Sequence, residues 1–193
     1  MYIRLAVLRW KALMREIVVV ALALGVTHEA WAQCKNDAVP NCSVYTQCFA
    51  KYCPCSGDTE YFETYGAKYC QRFLDNANFS AEGKKWREKT LICLQETIVP
   101  RLDISTHPVC NCGTMKKFAF DSHVACYTQK DASICALPMA DVNEIRKVVD
   151  IADTFSSEGW KQMAAVARIC EVTAPDDGRR TAWKALSVVL SLR

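Results

Sequence analysis

The stretch "DTEYFETYGAKYCQRFLDNA", Asp58 to Ala77, sets Phe62, Tyr65, Tyr69 and Phe73 at three- and four-residue steps, with Cys70 among them. That spacing paints one face of an α-helix, whereas a half-buried strand would alternate at every second residue. Upstream, "CSVYTQCFAKYC" places Val44, Cys48 and Tyr52 on one stripe, with Tyr45 and Phe49 beside it. Downstream, Asn78-Phe79-Ser80 breaks the pattern, and Ser80 is a good N-cap for the next helical segment. That segment, "AEGKKWREKTLICLQETIV", carries Trp86, Thr90, Cys93 and Thr97 on one face, widened by Leu91, Leu94 and Ile98, until Pro100 stops it.

The same period recurs to the end of the chain. It groups Met115, Phe118, Ser122 and Cys126, then Val142, Ile145, Val149 and Ala152 in "ADVNEIRKVVDIADTF". Trp160, Met163, Ala167 and Cys170 form a further group, and Trp183, Leu186 and Leu190 the last. Strand-like alternation of useful length is absent. The expectation is an all-α fold: a single disulfide-rich helical domain of about six to seven helices, with cysteines on the buried faces.

The N-terminus carries Arg4, Arg9, Lys11 and Arg15, then an apolar run from Ile17 to Val26, then the small-x-small pattern Ala30-Trp31-Ala32. This order is that of a secretory signal peptide over residues 1–32, and ten apolar residues are too few for a membrane span. Removing the first 32 of 193 residues leaves 161, enough for one domain with its own core. The leader holds four basic and two acidic residues, so the formal charge falls from +3 to +1. No nucleic-acid footprint remains, because the lysines and arginines are interspersed with carboxylates as in "EGKKWREK". The chain reads as secreted and extracellular, or periplasmic in a bacterium, with neither nucleic acid nor a membrane span among its partners.

All twelve cysteines lie beyond the leader: Cys34, Cys42, Cys48, Cys53, Cys55, Cys70, Cys93, Cys110, Cys112, Cys126, Cys135 and Cys170. An even count in an exported chain is the arithmetic of a disulfide framework. Cys53-Pro54-Cys55 and Cys110-Asn111-Cys112 could supply four thiolates to a soft metal, a redox centre, or halves of two disulfides. A metal needs those thiols reduced and deprotonated, which the secretory route opposes. The reading is therefore six disulfides, no metal site and no cofactor, with the two Cys-x-Cys elements as each other's partners.

The sequence offers no catalytic constellation. After the leader only His107 and His123 remain, and Asp121 and His123 stand at i and i+2 of a helix, where side chains do not face each other. No Gly-x-Ser-x-Gly, His-Glu-x-x-His, phosphate loop or calcium loop is present. "APDDG" and "SGDTE" read as turns and caps rather than cation sites, and the aromatic residues at helical spacing read as core. No catalytic, cofactor or metal residue is assigned, and the chain is expected not to be an enzyme.

The stretch "YCQRFLDNANFSAEGKKWREKTLICLQ" from Tyr69 resembles the stanniocalcins, secreted helical glycoproteins known as hormones of calcium and phosphate balance. The resemblance rests on Cys70 with Phe73-Leu74, on Phe79 before Gly83-Lys84, on Trp86, and on Leu91-x-Cys93. It continues at Cys126-Tyr127, at Ile134-Cys135, in the acidic helix reaching Phe155-Ser156, and at Cys170. It implies bridges from Cys34 to Cys48, Cys42 to Cys70, Cys93 to Cys126 and Cys135 to Cys170. It also implies one from Cys53 or Cys55 to Cys112, which leaves one cysteine of each Cys-x-Cys to satisfy the other; which takes which stays open.

The sequence departs from that family in having neither a cysteine after Cys170 nor a C-terminal histidine cluster, so a disulfide-linked dimer is not expected. Asn41 and Asn78 stand in glycosylation sequons, which operate in a eukaryotic secretory route. By resemblance the function is extracellular, hormone-like signalling through a protein partner or receptor, bearing on calcium or phosphate balance. The alternatives are an inhibitory or structural cysteine-rich module acting on another secreted protein such as a protease, and a secreted enzyme or metal carrier. The stanniocalcin-like part is expected over 33–175. A C-terminal amphipathic helix over 176–193 would bury Trp183, Leu186, Val189 and Leu190 on its own core or in a non-covalent homodimer seam.

Overall fold

Helix α1 begins as a π-helical run over Tyr45–Phe49 and continues α-helically over Ala50–Tyr52. It belongs to a computed structural model that describes Cys34 and residues 39–192, apart from Phe155. The signal peptide expected over 1–32 lies outside the described residues. Helix α2 repeats the pattern, π-helical over Phe62–Ala67 and α-helical over Lys68–Asp75. Next come α3 over Ala81–Ile98, α4 over Cys112–Tyr127, α5 over Met139–Val148, a single turn α6 over Ile151–Thr154, α7 over Ser157–Thr173 and α8 over Asp177–Ser191. Short 3-10 turns stand at Gly57–Thr59, Val99–Arg101 and Ile134–Ala136. The described residues contain no strand, and the domain is all-α and disulfide-rich.

Capping residues set the helix starts. The Ser80 hydroxyl accepts from the Gly83 N–H at 3.1 Å, the Asn111 side chain from Thr114 at 3.0 Å, Ser156 from Gly159 at 3.0 Å and Asp176 from Arg179 at 2.9 Å. Each satisfies one of the amides that a helix N-terminus leaves unpaired. At the other end of α3, Pro100 cannot continue the backbone ladder, and the chain tightens into the Val99–Arg101 turn.

Three pairings build the core. Helices α1 and α2 pack through Tyr45, Phe49 and Phe62, with the Phe49 and Phe62 rings 5.3 Å apart. Helices α3 and α4 form a second pair, in which the Trp86 indole donates to the Tyr127 carbonyl at 3.1 Å. Helices α7 and α8 form the third, and Trp160 Nε1 donates to the Leu190 carbonyl at 2.9 Å. The α8 face thus docks on its own chain: Trp183 and Leu190 are buried, while Leu186 is half-buried. Val189, expected on that face, is 57% exposed and points the other way.

The single helix expected through "ADVNEIRKVVDIADTF" is two. Val149 adopts φ −87°, ψ 132°, which ends α5, and Ala152 and Ile151 are exposed rather than packed. The break is held electrostatically. Asp150 bonds Lys68 at 2.5 Å and Arg72 at 2.6 Å, and Tyr69 donates its hydroxyl to Asp153. Those two cations, Lys68 first, hold the Asp150 carboxyl down at about 2. Apolar periodicity does not register such a polar anchor.

A buried polar contact fixes how α5 meets the start of α3. Asp141 is only 2% exposed and accepts from the Ser80 N–H at 2.9 Å and its hydroxyl at 2.5 Å. Gly83 makes room for it, because a Cβ there would lie 2.7 Å from the Asp141 carboxyl. Gly83→Ala should therefore destabilise the fold by about 1–3 kcal/mol by pushing a buried, hydrogen-bonded carboxylate off its donors. An open helix site would instead gain about 0.5–1 kcal/mol from the same change. Urea unfolding of the variant measures the sign, and a raised midpoint contradicts the contact.

Candidate functional site

Two features concentrate chemistry-bearing residues: the paired cystines at the start of α4 and the aromatic cluster behind them. Cys53, at the end of α1, is bridged to Cys110, and Cys55, two residues on, to Cys112 at the first position of α4. The bridges run parallel rather than crossed, so the choice left open by spacing resolves as first-to-first and second-to-second. A crossed order, Cys53 to Cys112 and Cys55 to Cys110, is not the one formed. All four sulfurs lie within 4.8 Å of one another, and Cys53 Sγ sits 3.5 Å from Cys55 Sγ. Both of those atoms are in disulfides and carry no proton, so their approach is van der Waals contact between the two bridges.

The cluster has the size of a four-thiolate metal site, but its donor set is oxidised. A disulfide sulfur is not a thiolate and does not ligate zinc as one. The remaining bridges join Cys42 to Cys70, Cys93 to Cys126 and Cys135 to Cys170. Cys34 and Cys48 are also disulfide-bonded, so no described cysteine is free.

Behind the cystines, α2 and α4 bring Tyr61, Tyr65, Phe120, His123 and Tyr127 together. The Tyr61 and Phe120 rings are 5.0 Å apart, Tyr65 and Phe120 4.9 Å, and His123 and Tyr127 5.5 Å. His123 is 5% exposed, with Nδ1 2.8 Å from the Ala119 carbonyl and Nε2 3.4 Å from the Tyr61 hydroxyl. A carbonyl only accepts, so Nδ1 carries the proton and Nε2 is left to accept from Tyr61. Burial pushes the imidazole pKa down to about 4, partly opposed by the Ala119 and Phe120 carbonyls. The same burial raises the Tyr61 and Tyr65 phenols far above their ordinary range.

Asp121, two residues before His123, lies on the exposed side of α4 and pairs with Lys117 at 2.5 Å. His107 is exposed and bonded through Nδ1 to the Thr106 hydroxyl at 3.1 Å. Neither histidine therefore meets a carboxylate in the geometry of a general base. The acidic stretches serve as caps. Glu60 accepts from the Glu63 and Thr64 amides at 2.8 and 2.9 Å, and Asp176 caps α8 while Asp177 pairs with Arg180 at 2.5 Å.

This bridge pattern and helix order can be set beside known proteins. The family model described as "Stanniocalcin family" matches residues 23–180, which is most of the chain and includes every cysteine. The chain belongs to the stanniocalcin family. Neither a search of curated proteins nor a search of solved structures returns a significant match. The two paired cystines close the same stretch of chain twice, each over a sequence separation of 57. The residues that sequence reasoning missed are the buried polar ones. Gln95 is fully buried, its Nε2 3.7 Å from Cys70 Sγ and its Oε1 3.4 Å from the Asn41 N–H, while Asp141 and His123 fill the same kind of role.

This geometry has two measurable consequences. Closing the 57-residue separation once is worth about 4 kcal/mol, and closing the short second ring beside it about 2 kcal/mol. Serine replacement of Cys55 and Cys112 together, or of Cys53 and Cys110 together, should thus cost about 2 kcal/mol, and replacement of all four about 6 kcal/mol. Chemical denaturation of the three variants checks this, and strict additivity contradicts it. Second, between pH 6.5 and about 4 the unfolded chain takes up a proton that folded His123 refuses. Stability therefore falls on acidification, by about 2–3 kcal/mol from pH 7 to 4.5, and His123→Phe should remove that part of the slope. Equal pH slopes for the two proteins would refute the buried neutral imidazole.

Proposed function

We propose that the mature chain is a secreted, non-catalytic signalling or binding protein of the stanniocalcin type, acting through an extracellular protein partner or receptor. The observation that carries this reading is the family match over residues 23–180 of a domain whose described cysteines are all in bridges. Such a body suits an oxidising extracellular setting. The leader pattern over 1–32 supports export, and among the described residues no helix is long and apolar enough to cross a membrane. The absence of a catalytic role is supported by His123, which is committed on both ring nitrogens within the core. Bearing on calcium or phosphate balance comes with the family likeness.

The sequons at Asn41 and Asn78, which operate in a eukaryotic secretory route, are both exposed, Asn78 in the turn before α3 and Asn41 accepting from the Ser43 amide and hydroxyl at 3.1 and 2.7 Å. A non-covalent homodimer is left the outer patch of Val188, Val189 and Leu192, because Trp183 and Leu190 are spent on the chain's own core. Light scattering across a dilution series should give a constant monomer mass, and a mass that doubles with concentration assigns that patch to self-association. For the main reading, labelled mature protein should bind cells saturably and be displaced by excess unlabelled protein. Retention of the chain inside the expressing cell, or binding without saturation, overturns it.

A further inference from the structure

Helix α5 leans on α2, whereas α7 and α8 pack on each other and on the Ile134–Ala136 turn. Between these two groups the chain leaves a cavity of about 330 Å³, in the range of small-molecule sites. Its walls are apolar: Val142 and Ile145 from α5, Met163 and Val166 from α7, Trp183 and Leu186 from α8. An apolar cavity of about 150 Å³ takes a benzene ring, so one of about 330 Å³ takes roughly twice as many carbons. Methionine in the wall lets it adapt to an occupant.

Two polar observations define what fits. Arg146 stands among the cavity residues and makes no ion pair among the described residues; its bonds go to Asn143 Oδ1, one turn away on its own helix, at 3.1 and 3.4 Å. Asp153, the carboxylate of the same cavity, is taken by the Tyr69 hydroxyl and by Lys68 at 3.7 Å, so it does not neutralise Arg146. The buried Trp183 Nε1–H also has no acceptor among the described residues, an uncommon state for a covered donor. We propose that this cavity binds an amphipathic small molecule with an apolar body of about ten to twelve carbons and a carboxylate head, the head pairing with Arg146.

The test uses the oxidised, lipid-stripped mature protein with dodecanoate and dodecanol as probes, followed by calorimetry and by tryptophan emission. Wild type should bind dodecanoate saturably, one per chain. Val142→Trp, which fills the cavity, should weaken both probes at least about tenfold. Arg146→Gln, a surface change that leaves the core intact, should weaken dodecanoate about fivefold and leave dodecanol unchanged. No saturable binding by wild type overturns the site. Undiminished dodecanoate binding by Arg146→Gln overturns the carboxylate assignment, whether or not the Val142 variant folds.

Discussion

In this chain the crosslinks and the apolar core occupy one surface. Cys70 and Cys126 are 2% and 1% exposed, and Cys135 and Cys170 are as deeply buried. Cys70, Cys126 and Cys170 sit at the helical step of the apolar residues beside them, and Cys135 stands in the turn packed on α7, so these bridges form where apolar surfaces already meet. Dependence runs both ways. A missing bridge leaves a polar thiol in packed surroundings, and a displaced aromatic pulls the sulfurs out of reach of each other. Cys55–Cys112 is the bridge with both members only half-buried, and it is also the one that adds a second closure to a gap already closed.

The helical character was legible because it rests on apolar period alone. "CSVYTQCFAKYC" buries the stripe expected of it, Val44, Cys48 and Tyr52, and "AEGKKWREKTLICLQETIV" buries Trp86, Thr90, Leu91, Leu94 and Ile98 but leaves Cys93 and Thr97 of its expected face only half-buried. What escaped the sequence is decided by partners distant in the chain. The end of α5 at Val149 depends on Lys68 and Arg72 reaching Asp150 from α2. Asp141 looks like a surface helix residue until Ser80 and the bare Gly83 are brought against it, 61 and 58 positions away. His123 reads as ambiguous by pattern, and only the ring of Tyr61, Phe120 and Tyr127 makes it a core residue. The pairing within the two Cys-x-Cys elements belongs to the same class, because four sulfurs within 4.8 Å admit either order until the backbones of α1 and α4 are placed.

The staples also bear on what kind of protein this is. Disulfides reach α1, α2, α3, α4 and α7, and several polar groups are engaged in holding the helices. Glu60, Asp176 and Asn111 cap helices, and His123 completes an aromatic cluster. What the bridges and caps leave open is the surface and the apolar cavity between α5 and the α7–α8 pair.

Every cysteine is consumed in a bridge, and the two Cys-x-Cys elements pair in parallel. Intact-mass analysis of the unreduced mature protein after alkylation, with fragmentation of the bridged peptide around Pro54 and Asn111, measures both parts at once. The expected result is no alkylated thiol, with Cys53 joined to Cys110 and Cys55 to Cys112. Alkylation at any of those four cysteines, or a crossed Cys53–Cys112 bond, would contradict it.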